Sequence, residues 1–279
     1  MSEGKSFKQS LDSESAAFFD RMTKNTFREQ AISVLNAYWK EIGTQADIIY
    51  HVFYKTMTKT DMHAKNVDLI HLYEEGNFLE LNMALYFYEK LCKFVEEHPE
   101  WKQDKYKISQ PQMLTAIKRR NELRDKVDVN ISNNISLLEV LLHQYRGNAN
   151  INPADYVHRS MNIDEHPKIR EARLALEDVN KKIKEYEAKK SELEEKSKKP
   201  GIQGSKAKHE LAIFECGPER ESLNESLLHA EALLRKMHKQ FGDGAPASSG
   251  SENALGDQRG TLFWMDCEIA EKKRLYGKK

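Results

Sequence analysis

The spacing of apolar residues along the first half of the chain predicts a series of helices. Side chains such as Phe18, Val34 and Leu85 belong to sets that recur at three- and four-residue steps, as on the buried face of a helix. The predicted helical stretches run from Ser13 to a stop at Gly43, and then over about 47–57, 61–73, 81–95, 111–127 and 137–145. Because no alternating strand pattern exceeds four residues, the predicted fold class is all-α.

The second half carries a longer pattern that predicts a helical hairpin. A long helix begins at Pro167, and its apolar seam consists of Ile169, Ala172, Leu176, Val179, Ile183, Tyr186 and Leu193, with Lys190 as the one polar member. Such spacing keeps a narrow apolar face towards a partner helix, as in a coiled coil. Pro200 and Gly201 end this helix. Leu211, Ile213 and Phe214 form a short apolar patch in the connector, and a second seamed helix is predicted over 218–241. The arrangement predicts an antiparallel hairpin.

The remaining segments complete the predicted domain organisation. Residues 1–12 are expected to be disordered, 13–150 to form a helical domain and 151–241 the hairpin. Residues 242–260 are rich in Gly, Ser, Ala and Pro and are expected to be a flexible linker. The tail, 261–279, combines a helical pattern with aromatic and basic residues. Two alternatives follow for this tail: it docks on a larger acidic surface, or it folds back onto the bundle.

Charge and cysteine content narrow the function classes. Lys plus Arg and Asp plus Glu are equal at 44 each, and a dedicated nucleic-acid binder would show a basic excess. Three separated cysteines without a CxxC pair do not predict a disulfide framework or a zinc ribbon. The polar N-terminus does not predict a secretory signal, and no run of about 18 apolar residues predicts a membrane span. We therefore expect a cytoplasmic protein without nucleic-acid or membrane-inserted partners.

One segment, residues 128–139, has the spacing of a twelve-residue EF-hand calcium loop. Calcium requires six to eight oxygen ligands, and one short loop supplies them at fixed positions. The candidate metal ligands are Asp128, Asn130, Ser132, Asn134, Ser136 and Glu139. Ile135 falls where a β-branched residue joins the short strand between paired hands. We refer to residues 128–139 as the candidate calcium loop.

Two positions of the candidate calcium loop depart from the usual pattern. Ser132 stands where an acidic residue is usual, and Asn133 stands where glycine is usual. Only Asp128 and Glu139 carry charge, so a low calcium affinity or a purely structural loop are both compatible with the sequence. The expected partner is a pseudo-EF-hand over about 61–94, in which Leu79 fills the strand position. That loop lacks oxygens at metal spacing, so its pairing would be structural.

Catalytic motifs are weak throughout the sequence, which does not predict an enzyme. Gly201 to Lys206 resembles part of a phosphate-binding loop but lacks the required spacing and a preceding strand. Histidine pairs such as His63 and His71 are eight residues apart without a further metal ligand. No nucleophile and base occur in a recognisable arrangement.

Several stretches together resemble a known family. These stretches are Leu35–Trp39, Ala84–Glu89, Ile108–Thr115, Leu123–Asn130, Arg159–Asn162, Asp164–Pro167, Ala172–Glu177, Trp264–Met265, Glu271–Arg274 and Tyr276–Gly277. In order and over nearly the whole chain they are similar to the 34-kDa calcium-regulated actin-bundling proteins of amoebae and slime moulds. The resemblance implies a protein that cross-links actin filaments into bundles, with bundling weakened when calcium binds the EF-hand.

The resemblance also implies where actin and calcium bind. Family members contact actin through an N-terminal region, a central helical region and the C-terminal tail, and the last two fall here at about Val179–Gln240 and Leu262–Lys279. The calcium loop carries over at Asp128, Asn130, Ser136 and Glu139. The family loop has an acidic residue and a glycine where this chain has Ser132 and Asn133. Bundling is therefore expected with a calcium switch that is weakened or absent.

A bundler must hold two filaments, so one monomer needs two separate actin-binding faces. Actin filaments are acidic, and the candidate contacts are Lys181, Lys182, Lys184, Lys189, Lys272, Lys273, Arg274 and Lys278. The alternative for the hairpin lysines is a solvated face balanced by neighbouring glutamates. Two other functions stay open: a calcium-sensing adaptor that binds a partner peptide, and a coiled-coil scaffold that dimerises through the 169–193 seam. A monomer is expected for the bundler, whereas the scaffold requires a dimer.

Overall fold

The helices predicted from the apolar spacing are present in the computed structural model, with several changes in their bounds. The structure describes residues 11–128, 132–146, 151–161, 165–241 and 258–277. These fall into two compact units. The first contains residues 11–67, the described part of 74–161, and 258–261; the second contains 68–73, 165–241 and 262–277.

The first unit is a set of short and medium helices with one small β-ladder. Its elements are α1 (Ser13–Met22), α2 (Phe27–Ala37), α3 (Trp39–Ile42), α4 (Ala46–Ile48), α5 (Lys55–Ala64), β1 (Leu79–Glu80), α6 (Leu81–Glu97), α7 (Ala116–Glu122), β2 (Asn134–Ile135), α8 (Leu137–Tyr145) and α9 (Asp155–Ser160). A 3₁₀ turn, Gly43–Gln45, joins α3 to α4, and a π-helical stretch, Ile49–Tyr54, joins α4 to α5. Large side chains such as Phe19, Phe53 and Phe87 form the core and are fully buried.

Side-chain caps fix the starts of the first two helices. Asp12 accepts a hydrogen bond of 2.8 Å from the backbone N–H of Ser15 and so caps α1. Thr26 and Glu29 form a reciprocal capping box at the start of α2. Asp12, for which disorder was predicted, is therefore part of a helix cap. Residues 1–10 lie outside the described part of the chain.

Several helix bounds predicted from sequence were wrong. The break predicted between residues 57 and 61 is absent, because Lys55–Ala64 is one continuous helix. The helix predicted over 61–73 ends at Ala64, because Asn66 adopts a left-handed backbone with φ of 52°. The chain then continues to a 3₁₀ turn at Ile70–Leu72, which packs on the long helix of the second unit. The helix predicted over 111–127 begins at Ala116 instead, where the Thr115 side chain provides the N-cap. Its last turn, Leu123–Val127, is π-helical.

The end of the first unit also differs from the predicted boundary at residue 150. Helix α9 belongs to the first unit because Tyr156 is fully buried there. The Tyr156 hydroxyl lies 2.7 Å from the Ser33 hydroxyl, and its ring meets Phe19 edge to face. Residues 147–150, next to that predicted boundary, lie outside the described residues.

The second unit is built on the predicted hairpin, but the return limb consists of two helices. Its elements are α10 (Pro167–Ser197), α11 (Ile202–Cys216), α12 (Pro218–Phe241) and α13 (Arg259–Tyr276), of which α13 begins in the first unit. The predicted connector is therefore largely helical, and both α11 and α12 pack on α10. Contacts of Lys168 with Gln240 and of Lys189 with Glu219 show that α12 runs antiparallel to α10.

The polar seam residue Lys190 is accommodated by an ion pair. Its ammonium lies 2.8 Å from a carboxylate oxygen of Glu215 on α11, and this hydrogen bond raises the pKa of Lys190. The seam residues Ile169, Leu176 and Val179 are fully buried within the chain. A dimer through the same seam, as the scaffold function requires, would need the hairpin to open first.

The C-terminal segment packs as a helix, whereas a flexible tail was predicted. Four of its apolar side chains are buried, namely Leu262, Trp264, Met265 and Ile269. Lys273 pairs with Glu231 of α12 at 2.8 Å, and His238 of α12 lies 2.7 Å from Asp266. Of the two alternatives for the tail, the structure shows the folded-back one. Residues 242–257 of the predicted linker lie outside the described part.

The hydropathy of the described helices was compared with that of membrane-spanning helices. Among the described helices, none combines the length with the apolar content needed to cross a bilayer.

Candidate functional site

A two-stranded antiparallel ladder joins the candidate calcium loop to the loop between α5 and α6. We refer to the loop between α5 and α6 as the first loop. Leu79 pairs with Ile135 and Glu80 pairs with Asn134, so the two positions predicted to meet are in register. Leu79 and Ile135 are both buried, at 2% and 0% exposure. The ladder therefore ties the two loops together through backbone bonds and an apolar contact.

Asp128 organises the first part of the candidate calcium loop. Its carboxylate accepts hydrogen bonds from the backbone N–H of Ser132 at 3.0 Å and of Asn133 at 2.8 Å. The side chain is almost completely buried. A buried carboxylate with two backbone donors closes the loop into a tight turn. Asn130 lies outside the described residues.

The turn also depends on a left-handed residue at the position where glycine is usual. Asn133 has φ of 60°, a region that asparagine tolerates better than most side chains. The turn therefore forms with asparagine at the position where glycine is usual.

The second part of the loop is the start of α8. Ser136 and Glu139 form a capping box in which a Glu139 oxygen accepts from the Ser136 N–H at 3.0 Å and from its hydroxyl at 2.7 Å. Both residues are buried, at 2% and 1% exposure. The Glu139 carboxylate, which the sequence predicts to be a metal ligand, is therefore held here in the cap of a helix.

The donor set fits a weak calcium site better than a strong one. Carboxylates of Asp128 and Glu139, the Ser132 hydroxyl and the Asn134 carbonyl are hard oxygen donors, the type that calcium prefers. The Ser132 hydroxyl donates a hydrogen bond to the Asn134 carbonyl at 3.1 Å, so these two candidate ligands already contact each other. In the described part of the chain, no three His, Cys, Asp or Glu side chains gather as a metal site. Because the loop has only two carboxylates among these groups, a calcium ion held here would need neutral oxygens as well.

The first loop is stabilised by a different set of contacts. Asp61 is buried, accepts from the Gly76 N–H at 3.1 Å and pairs with Lys65 at 2.8 Å. A Cβ at Gly76 would lie 2.6 Å from the Asp61 carboxylate, so a larger residue there would displace that carboxylate from its hydrogen bond with the Gly76 N–H. Because Lys65 already compensates the Asp61 charge, this loop is suited to a structural role.

A junction at Gln30 was missed from the sequence. Gln30 is fully buried, and its amide oxygen accepts from the Leu138 N–H at 3.0 Å, next to Glu139. Its amide nitrogen donates to three backbone carbonyls, of Thr23, Asn25 and Asn77, at 2.7–3.1 Å. One side chain thus links the start of α8, the turn between α1 and α2, and the first loop. Only its position among apolar helix residues distinguishes it in the sequence.

A second missed junction connects the helices on either side of the candidate calcium loop. Glu122 at the end of α7 pairs with Arg119 and lies 3.2 Å from the Nε2 of His143 on α8. Partial burial raises the pKa of Glu122, but the hydrogen bonds and charges of His143 and Arg119 outweigh it. The pKa of Glu122 therefore lies below its ordinary value. The ionised carboxylate therefore holds α7 and α8 together.

The predicted actin-binding lysines of the hairpin divide into paired and exposed groups. Lys182 contacts Ser226 and pairs with Asp178, and Lys189 pairs with Glu219 at 2.9 Å. Lys181 and Lys184 are exposed and have no ion-pair partner among the described residues. Acidic residues therefore balance only part of the predicted lysine set. The partners are Asp178 and Glu219, whereas neighbouring glutamates were expected.

The predicted basic residues of the tail divide in the same way. Lys272 pairs with Glu268 at 3.2 Å, and Lys273 pairs with Glu231, whose pKa is lowered mainly by that hydrogen bond. Arg274 is exposed without an ion-pair partner in the described part of the chain. Lys278 lies outside the described residues. The structure therefore leaves Lys181, Lys184 and Arg274 available for an external partner.

Comparisons with known proteins agree with one another. Residues 165–262, which cover the hairpin, match a family model described as "F actin bundling C terminal". The "Calcium-regulated actin-bundling protein" of Dictyostelium discoideum is 48% identical over 276 residues, which is 98% of this chain and 92% of that protein. The crystal structure of the 34 kDa F-actin bundling protein from the same organism has a TM-score of 0.85 at 46% identity. It covers 97% of this chain and 99% of the other.

Proposed function

Because the chain belongs to the family of calcium-regulated actin-bundling proteins, we propose that it binds actin filaments and cross-links them into bundles. The observation that carries this proposal is the similarity over nearly the full length of the chain, in sequence and in fold. The proposed role is mechanical, a link between filaments of the cytoskeleton, and it requires no catalytic group.

The exposed basic residues of the second unit support filament binding. Lys181 and Lys184 lie on α10 and Arg274 lies on α13, and each presents a cation to solvent. Filaments carry acidic surfaces, so these groups favour association through charge complementarity. Lys272 and Lys273, which are held in internal ion pairs, are weaker candidates because an actin contact would first have to break those pairs.

We propose further that calcium acts through the candidate calcium loop, with low affinity. The loop would hold the ion through Asp128 and Glu139, aided by neutral oxygens from its other positions. The Ser132–Asn134 hydrogen bond competes with the ion for the same oxygens. As in other sensor loops, binding would change the angle between the helices on either side, here α7 and α8. Inhibition of bundling follows if that change alters an actin-binding face.

Sedimentation with actin filaments tests both proposals. At low speed, only bundled filaments pellet, and at high speed all filaments pellet with whatever they bind. We expect a low-speed pellet that requires the protein and shrinks when calcium is added. The Glu139→Gln variant separates the two steps, because it should bundle filaments normally and lose the calcium effect.

Other outcomes would assign the protein differently. Bundling that calcium does not change would retain the filament link and reject the switch. If no filaments pellet and none bind at high speed, the bundling proposal is wrong. Calcium-dependent retention on a hydrophobic resin would then favour the adaptor, and a dimer in light scattering would favour the scaffold.

A further inference from the structure

A cavity of about 350 Å³ lies in the first unit between α6, the start of α7 and the segment that joins them. This volume is in the range of small-molecule sites, roughly 300–1,000 Å³. The apolar part of its lining consists of Leu85, Tyr86, Met113, Leu114 and Ala116. Because Met113 is exposed, a ligand can reach the cavity from solvent. The cavity shares no lining residue with the candidate calcium loop or with the lysines proposed to contact filaments.

The hydroxyl of Tyr88 is a polar group that this cavity leaves unpaired. Tyr88 lines the cavity and is 3% exposed, and its buried hydroxyl oxygen has no hydrogen-bond partner among the described residues. Burial raises the pKa of Tyr88, so the hydroxyl stays protonated and can donate. A buried hydroxyl without a partner is unfavourable, and a ligand that supplies an oxygen acceptor removes that cost.

The buried polar neighbours of Tyr88 already have partners. The guanidinium carbon of Arg119 lies 4.1 Å from the centroid of the Tyr88 ring. Its nitrogens donate to the Glu122 carboxylate and to the Gln112 carbonyl. The Cys92 thiol donates to the same carbonyl at 3.7 Å. The Tyr88 hydroxyl is therefore the buried lining group that is left for a ligand.

The charges around the cavity disfavour an anionic ligand. The Arg119 charge is compensated by Glu122, and the carboxylate of Glu89 is part of the lining. Lys90 and Arg120 contact lining residues but are exposed, so solvent screens their charge. An ionised ligand would in addition lose hydration against a largely apolar wall. The cavity is therefore suited to an uncharged molecule.

We propose that this cavity binds a small, uncharged and largely apolar molecule that carries one carbonyl oxygen. The apolar body of the ligand packs against Leu85, Met113 and Leu114, and its carbonyl oxygen accepts a hydrogen bond from the Tyr88 hydroxyl. An apolar wall with one placed polar group is typical of small-molecule sites. The bound ligand contacts both α6 and the segment before α7, and so stabilises the first unit.

Saturation-transfer NMR of the full chain with three ligands of similar shape tests this proposal. Acetophenone carries a ketone, ethylbenzene has no oxygen, and benzoate carries a charged carboxylate. We expect acetophenone to bind with a Kd of about 1 mM, which is usual for so small a ligand, and benzoate to bind about tenfold more weakly. Tyr88→Phe should lower the ratio of acetophenone affinity to ethylbenzene affinity about fivefold, because only acetophenone loses a hydrogen bond.

Two further variants serve as controls. Ala116→Trp, at an exposed position of the lining, should obstruct the cavity and weaken the binding of acetophenone and ethylbenzene alike by about tenfold. Tyr145→Phe removes a buried hydroxyl that lies 2.7 Å from the Ser109 hydroxyl and does not line the cavity. It should leave the affinity ratio unchanged. Circular dichroism of each variant establishes that the fold is retained.

Urea unfolding of the same variants checks that the Tyr88 hydroxyl is unpaired in the free protein. Tyr145→Phe should lower the urea midpoint, because it breaks a hydrogen bond, whereas Tyr88→Phe should not. Equal losses would mean that Tyr88 already has a partner, such as a bound water, and would overturn the proposal. So would the absence of acetophenone binding, tighter binding of benzoate, or an affinity ratio that Tyr88→Phe does not change.

Discussion

At the scale of single residues, Ser132 and Asn133 decide how well the candidate calcium loop can hold an ion. Asn133 occupies a left-handed backbone that glycine adopts without strain, and Ser132 supplies a neutral oxygen where a carboxylate is usual. Both substitutions leave the turn intact, since Asp128 still receives the two backbone hydrogen bonds that close it. The expected consequence is reduced affinity with an unchanged fold.

Restoring both positions should therefore strengthen calcium binding. We expect Ser132→Asp with Asn133→Gly to increase the affinity about tenfold or more, because a third carboxylate joins the ligands and a strained residue is removed. Isothermal titration calorimetry measures the change. Adding Glu139→Gln to the same variant should abolish the gain, and a gain that survives it would place calcium elsewhere.

Gln30 is a buried polar residue whose removal should lower the stability of the first unit. Gln30→Met preserves length and removes all four hydrogen bonds, which leaves the buried Leu138 N–H and several carbonyls without a partner. Each such group costs about 1–3 kcal/mol, so we expect the free energy of unfolding to fall by roughly 3 kcal/mol or more. Urea unfolding followed by circular dichroism measures it. Gln203→Met, at an exposed position in the first turn of α11, is the control and should change stability by less than about 0.5 kcal/mol.

At the scale of elements, the α7–α8 connection through Glu122 is the contact that a calcium-driven reorientation would have to change. Glu122 and His143 lie on the helices before and after the candidate calcium loop. The bridge is partly buried, so it is screened less by salt than a surface ion pair. It therefore makes the angle between these helices sensitive to the charge of one carboxylate.

This charge predicts a pH dependence of stability with a definite sign. The folded-state pKa of Glu122 lies below its ordinary value of 4.5, so its stabilising effect is present above that value and is lost as the pH falls through the folded-state pKa. We expect the wild type to lose about 1.5 kcal/mol more than Glu122→Gln on acidification through this window. Urea unfolding at a series of pH values tests it. Glu96→Gln, at an exposed carboxylate, should behave as the wild type.

At the scale of the whole molecule, bundling requires filament contacts that act together, and the exposed lysines of α10 are the best-supported group. We expect Lys181→Glu with Lys184→Glu to lower filament affinity about tenfold near 0.1 M salt and less at high salt, because screening weakens exposed charges. High-speed sedimentation at several salt concentrations measures this. Lys102→Glu with Lys107→Glu is the matched control. Equal losses in both variants would show that these positions are not a specific contact.

Helix positions and the seam could be predicted because they depend on local periodicity. The spacing of Leu176, Val179 and Ile183 and the start at Pro167 were sufficient for α10, and the pairing of Leu79 with Ile135 followed from loop spacing. The helix end at Ala64 and the start at Ala116 were missed, because a left-handed Asn66 and a Thr115 cap override weak apolar patterns. Local signals at helix ends are short and easily outweighed.

The sequence by itself determined the features that depend on local chemistry. These are an all-α fold, a loop with calcium spacing, a seamed hairpin and a family resemblance. The tertiary structure decided which distant groups meet. It selected Gln30 as a junction, joined Glu122 to His143, buried Trp264 in the packed tail and divided the lysines into paired and exposed groups. Such contacts join residues far apart in the chain, and neither periodicity nor composition encodes which of many similar side chains will be neighbours once the helices pack.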